Sequence, residues 1–130
     1  YSTPIFSPTG GMKISAPDLA KYLLLHMNYG KVGATRIIST AHAKAMQTPL
    51  STDENYGLAL WKTDVLLPGV ELVGHTGSAY GLYSALFFNP EEKYGFVVIS
   101  NGCDPTEEDG YIRVIRRAIQ ILHEEWIVKP

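Results

Sequence analysis

Apolar residues recur at three- and four-residue steps through two stretches of this chain and crowd into short runs elsewhere, and that change of period lays out the fold. Ser15-Ala16-Pro17-Asp18 reads as a helix start: Ser15 can cap, Pro17 is tolerated in the first turn, and Asp18 stands where a capping box places an acid. Leu19, Tyr22, Leu23, His26 and Met27 then fall on one face, and the helix should stop before Gly30. A second, shorter helix is predicted over 40–47, capped by Ser39 and ended by Pro49. Residues 1–11, punctuated by Pro4, Pro8, Gly10 and Gly11, read as a loop.

From Tyr56 the pattern is that of strands. Tyr56 to Trp61 is short and apolar, and Val65 to Val73 is interrupted by Pro68-Gly69, a turn entering the next strand. Leu82 to Phe88 and Tyr94 to Ser100 are joined by the hairpin loop Asn89-Pro90-Glu91-Glu92-Lys93. Val97, Val98 and Ile99 are consecutive and apolar, so that strand is predicted to be central and covered on both faces. Asp104-Pro105-Thr106 opens a last helix, with Glu107, Glu108 and Asp109 at its positive end. Ile112, Ile115, Ile119, Leu122 and Trp126 make its stripe, widened by Val114, Ala118 and Ile121 and weakened early by Gly110. A helical segment over 1–50, then antiparallel strands and a closing helix packed on them over 51–130, gives an α+β single domain, or a fragment of one.

Composition narrows the function more than the fold. The 130 residues carry a formal net charge of −2, and the basic residues are scattered except for Arg113, Arg116 and Arg117, which fit the exposed side of a helix. Nothing in that balance favours nucleic acid or anionic lipid. Cys103 is the only cysteine, read as an inert half-buried thiol, so an internal disulfide and a cysteine metal site are excluded. No apolar run is long enough to span a membrane, and no signal peptide is recognisable. The chain begins Tyr1-Ser2-Thr3 without an initiator methionine, which suggests a piece of a longer polypeptide.

The candidate chemistry sits in Gly74-His75-Thr76-Gly77-Ser78-Ala79-Tyr80-Gly81. Small residues with glycines on both sides let a ligand approach the backbone, and the histidine, two hydroxyls and N–H groups suit binding a carboxylate or stabilising an oxyanion. His75 has two readings: a proton-transfer or hydrogen-bonding group facing a pocket, or a strand histidine bonded to a neighbouring carbonyl, the commoner case. Thr76 could equally be an ordinary cross-strand neighbour. Gly77 and Gly81 suggest a bulge or close backbone approach. Tyr56, Gly57 and Trp61 read as core or pocket wall. His26, His42 and His123 are read as satisfied surface or boundary histidines, with no spacing that makes a metal site. The acids 107–109 read as capping charge and Glu124-Glu125 as a solvated face. Gly10-Gly11 lacks the lysine and preceding strand of a phosphate loop.

Four segments in order carry a family resemblance. Gly10-Gly11-Met12-Lys13-Ile14-Ser15-Ala16-Pro17-Asp18-Leu19-Ala20 resembles the A-G-G-hydrophobic-x-S-T-x-x-D-L-A segment of serine β-lactamase-related proteins. That group includes class C β-lactamases, penicillin-binding D-Ala-D-Ala carboxypeptidases, D-aminopeptidases and esterases. Tyr56-Gly57-Leu58-Ala59-Leu60-Trp61 resembles its Y-G-L-G-W strand, and Gly74-His75-Thr76-Gly77 its K-T-G motif in the H-T-G form of many non-lactamase members. Asn89-Pro90 and Val97-Val98-Ile99-Ser100-Asn101 resemble the hairpin that follows. The resemblance implies a partial β-lactamase/transpeptidase-like fold, matching only the family's C-terminal part. No Ser-x-x-Lys occurs in the chain, and the Y-x-N motif is missing: Tyr1-Ser2-Thr3 mimics it, but only six residues separate it from Gly10.

By this resemblance no catalytic nucleophile lies in the chain. His75 matches the K-T-G lysine that helps hold the substrate carboxylate, Thr76 the hydroxyl that bonds it, and Ser78, after Gly77, the position whose backbone N–H forms half of the oxyanion hole. A histidine there makes the positive charge depend on pH, which puts β-lactam specificity in doubt. The expectation is the C-terminal part of a serine acyl hydrolase acting on an ester, D-peptide or β-lactam, with no metal or organic cofactor, extracytoplasmic in a bacterial parent. The missing N-terminal part would be its intramolecular partner. The rival is a non-catalytic binding or assembly module that keeps the pocket wall. Without the N-terminal strands the sheet edge and apolar surface near Leu23, Met27 and Tyr80 should be bare, so the isolated chain is expected to self-associate.

Overall fold

A computed structural model describes residues 12–51 and 54–129. Helix α1, Ala16–Met27, begins where its cap directs: the Ser15 side chain accepts from the Asp18 N–H. Helix α2, Thr40–Gln47, is capped the same way by Ser39 through the His42 N–H. Between them lies a small hairpin that the pattern does not reveal, β1 (Lys31–Val32) with β2 (Thr35–Arg36). Among the described residues the main sheet has four antiparallel strands in the order β3 (Trp61–Thr63), β4 (Leu72–Ala79), β5 (Leu82–Asn89), β6 (Tyr94–Asn101). The loop segment 1–11 lies outside the described residues.

The strands bury alternate residues on two faces, as a period of two requires. Toward α1, Val73, Leu86 and Phe88 pack with Leu23, Met27 and Leu60. On the other face, Leu72, Ala85, Phe87 and Phe96 pack with Ile115 and Ile119 of α3 (Arg113–His123). The result is a mixed fold of helices and an antiparallel sheet. Central β5 is buried on both faces from Ala85 to Asn89.

Several expectations are corrected. β6 is an edge strand among the described residues, not a central one. Its unbroken apolar run reflects cover on two faces, Val97 toward α1 and Val98 toward α3, and carries no information about its edge. The acids after Asp104 do not begin a helix. Glu107–Glu108 (β7) and Tyr111–Ile112 (β8) form a hairpin through Asp109 and Gly110, both at positive φ (53° and 80°), the conformation of a tight two-residue turn. The helix starts only at Arg113, with no side-chain cap. Tyr56 to Trp61 is a single bridge around a tight loop, and the strand begins at Trp61.

The stripe of α3 is buried at Ile115 and Ile119 but ends in a π-helical turn, Glu124–Val128, that leaves Trp126 exposed. Val114 and Ile121 are also exposed and do not widen the packed stripe. Leu23 and Met27 are buried by the chain itself, so of the surface expected to be bare only Tyr80 is fully exposed. His26 is no boundary residue: its ring is buried, with Tyr22 edge-on at 4.5 Å, and neither nitrogen has a hydrogen-bond partner. Burial pushes its imidazole below the ordinary value.

Candidate functional site

The H-T-G segment lies in regular strand β4 rather than at a bulge. His75 pairs with Leu86, Thr76 with Ala85, Gly77 with Ser84 and Ser78 with Tyr83, without interruption, and Tyr80-Gly81 makes the two-residue turn to β5. β3 reaches β4 only at Leu72, Val73 and Gly74. From His75 to Ala79 the other edge of β4 therefore has no strand beside it among the described residues. Alternate residues of an antiparallel strand turn their N–H and C=O groups to each side, so this stretch offers unpaired backbone donors and acceptors.

Pairing with β3 stops at Gly74 for a local reason. The Gly57 N–H bonds the Leu60 carbonyl at 2.7 Å and turns the chain back before β3. That loop is tied to the end of α2, since the Leu58 N–H donates to the Met46 carbonyl at 3.0 Å and the Leu50 N–H to the Tyr56 carbonyl at 3.0 Å. Tyr56 is thereby fixed beside β4. Its hydroxyl lies 2.6 Å from His75 Nε2, and the two rings are edge to face at 5.7 Å. Trp61 adds a second edge-on ring at 6.2 Å.

His75 Nδ1 contacts the Thr76 carbonyl. A carbonyl only accepts, so the neutral ring must carry its proton on Nδ1 and accept the Tyr56 O–H at Nε2. His75 thus bonds a neighbouring carbonyl, and its exposed ring also pairs with a tyrosine hydroxyl at the start of the open edge. Tyr56 was legible as pocket wall, but its hydrogen bond was not, because only the fold brings residues 19 apart into contact.

Thr76 and Gly77 are half-buried and Ser78 is exposed. A cavity of about 250 Å³ lies beside them, between β4, β5 and the β7–β8 hairpin, and reaches Ser84 and Tyr111. Gly77 lets Ser84 in: a Cβ there would stand 2.6 Å from Ser84 Oγ. Ser84 is a hydroxyl that the motif does not mark and that the register alone reveals.

The hairpin wall is held by Arg116. Contrary to the expectation of an exposed basic face, its side chain is only 9% exposed, with Nη1 2.8 Å from Glu108 and Nη2 2.8 Å from Asp109. Tyr111, also on the hairpin, donates to Thr63 Oγ1 at 2.8 Å and stacks obliquely on Trp61 at 5.5 Å. Burial raises the Tyr111 hydroxyl above its ordinary value, and the Asp64 charge nearby adds to that shift.

His75, Thr76, Gly77 and Ser78 are thus brought together, and the other histidines stand apart. His26 lies on the buried face of α1, and His123 lies against Tyr94 at 5.7 Å between ring centres. Among the described residues no group of three or more His, Cys, Asp or Glu could hold a metal ion. Cys103 is a free, half-buried thiol.

Comparison with known proteins agrees with the mixed fold of helices and antiparallel sheet. The family model described as Beta-lactamase matches residues 1–120. The solved structure of the octameric penicillin-binding protein homologue from Pyrococcus abyssi is 28% identical, with a TM-score of 0.65. The match covers 92% of this chain but only 26% of that one, so the chain spans about a quarter of that relative's length. Among curated proteins nothing matches. With a family model over nearly its whole length and a solved relative of the same fold, the chain belongs to the Beta-lactamase family.

Proposed function

We propose that this chain forms the substrate-side wall of a serine acyl hydrolase of the penicillin-binding protein, esterase or D-peptidase type. The observation that carries the reading is the open edge of β4 from His75 to Ala79, which begins at the Tyr56–His75 pair. An extended acyl substrate can lie along such an edge and exchange main-chain hydrogen bonds with it. His75 and Thr76 would receive its carboxylate or carbonyl end, and the Ser78 N–H would stabilise the oxyanion as the carbonyl becomes tetrahedral. The attacking serine and its activating lysine would come from sequence outside these residues, since no Ser-x-x-Lys occurs among them.

His75→Lys, made in a longer polypeptide that carries this chain and is active, tests the assignment. A lysine ammonium is a charged and stronger anchor for a carboxylate than a neutral imidazole. The variant should raise the ratio of β-lactam to ester turnover several-fold. If the ratio stays as in the parent, His75 has no part in holding substrate. If no longer form of the protein hydrolyses an acyl substrate, the binding-module reading replaces this one.

A further inference from the structure

A second cavity of about 410 Å³, within the range of small-molecule sites, shares Gly110 and Tyr111 with the Thr76–Ser78 cavity. Its walls include three aromatic rings, Tyr56, Trp61 and Tyr111. Its rim includes the carboxylates of Glu54, Asp64 and Asp109. The charges there do not cancel. Lys62, the lining cation, is held by Glu71 at 2.6 Å, and Asp109 is held by Arg116 at 2.8 Å. Asp64 and Glu54 have no ion-pair partner among the described residues. Two uncompensated carboxylates therefore stand at a space that three aromatic residues help to line.

That combination is matched to one ligand chemistry. Carboxylates attract a positive charge, as does the face of an aromatic ring, and apolar ring surface favours a charge spread over carbon rather than a small hydrated ion. An anion would meet repulsion from the carboxylates. The position also has meaning, because Tyr56 and Trp61 line this cavity while also touching His75, so the cavity adjoins the start of the open β4 edge.

We propose that the Tyr56–Trp61–Tyr111 cavity, with Asp64 at its rim, binds an organic ammonium group, carried by the substrate of the neighbouring site. Its place in substrate recognition rests on the hydrolase reading; the capacity to bind an ammonium does not. Choline is a suitable probe, and 3,3-dimethylbutan-1-ol is its uncharged isostere. Both are titrated into the 130-residue chain with Trp126→Phe, so that tryptophan emission reports Trp61 alone.

Choline should change the Trp61 emission saturably, and the isostere should bind at least about tenfold more weakly, as loss of a charge beside a ring and a carboxylate requires. Asp64→Asn, at an exposed position that leaves the fold intact, should weaken choline several-fold, and added salt should do the same. Equal binding of choline and its isostere, or a choline affinity unchanged in Asp64→Asn, overturns the proposal, as does the absence of saturable binding by choline. The readout needs no nucleophile, so its failure is distinct from a failure to detect acyl transfer in a longer form.

Discussion

Gly74 and Gly77 are two residues of one motif with different tasks, and replacing each by alanine should separate them. A Cβ at Gly74 would meet the Leu86 carbonyl at less than any real contact distance, and would lie 2.7 Å from both Cα and Cδ1 of Phe87. That is roughly 0.7 Å short of the 3.4 Å at which contact becomes ordinary, and two of the three neighbours are backbone, which moves only if β4 and β5 separate. The space also lets Trp61 on β3 and Phe87 on β5, both paired with Gly74, meet edge to face at 5.9 Å across the strand between them. Overpacking costs about 1–3 kcal/mol. Loss of the ring pair adds about 0.5–1.5 kcal/mol. The less flexible unfolded chain returns about 0.4–1 kcal/mol. Gly74→Ala should therefore destabilise by about 2–3 kcal/mol.

At Gly77 the near neighbour is Ser84 Oγ, a hydroxyl that can rotate away, and nothing of the backbone stands within 4 Å. Gly77→Ala should change stability by less than about 1 kcal/mol, because the unfolded-state gain offsets the small rearrangement. Urea unfolding followed by circular dichroism measures both. With a slope near 1.5–2 kcal/mol/M, the Gly74 variant should unfold about 1–2 M earlier, while the Gly77 variant stays near the parent. Equal midpoints for the two variants would refute the claim that Gly74 is a packing glycine and leave the close approach without consequence.

Two further outcomes follow from the buried polar groups. His26 is held below its ordinary pKa by burial, so the unfolded chain takes up its proton first as pH falls; the stability it contributes is whole above about pH 6.5 and declines below it. His26→Phe, which keeps a buried ring, should flatten the fall in urea midpoint between pH 8 and pH 5, and an unchanged slope would mean that His26 is not the group responsible. For the hairpin clamp, Glu108→Gln with Asp109→Asn should cost more, about 3 kcal/mol, than Arg116→Met, about 1–2 kcal/mol. The double change strands a guanidinium that is 9% exposed, whereas removing the arginine leaves carboxylates that water already reaches. Thermal unfolding of the three proteins orders them, and the reverse order would contradict the account of a buried cation held by its partners.

How far the sequence discloses this structure depends on the range over which each signal acts. Helices α1 and α2 are legible almost to the residue because Ser15 and Ser39 act on N–H groups three positions away. β5 and β6 are legible because hydrophobic runs flank an evident turn. The β7–β8 hairpin is not, since Glu107-Glu108-Asp109 serves a helix start as well as a strand and turn, and Asp109 followed by Gly110, the pair that decides the matter, also fits a capping charge and a weak spot early in a helix. Arg116 follows from that error, because the helix face it occupies is exposed only until the hairpin folds over it. Within the site, His75, Thr76, Gly77 and Ser78 stand in one line of text, whereas Tyr56 and Ser84 join them only through loop geometry and strand register.

The most direct test of the central claim, that these residues wall an acyl-hydrolase pocket whose nucleophile lies elsewhere, is covalent labelling with a fluorophosphonate probe read by peptide mass spectrometry. The 130-residue chain should take up no label, and a longer polypeptide joining it to an upstream S-x-x-K helix should be labelled at that serine, less so when His75 and Tyr56 are replaced by alanine and phenylalanine. Stoichiometric label on any serine within this chain would contradict the account.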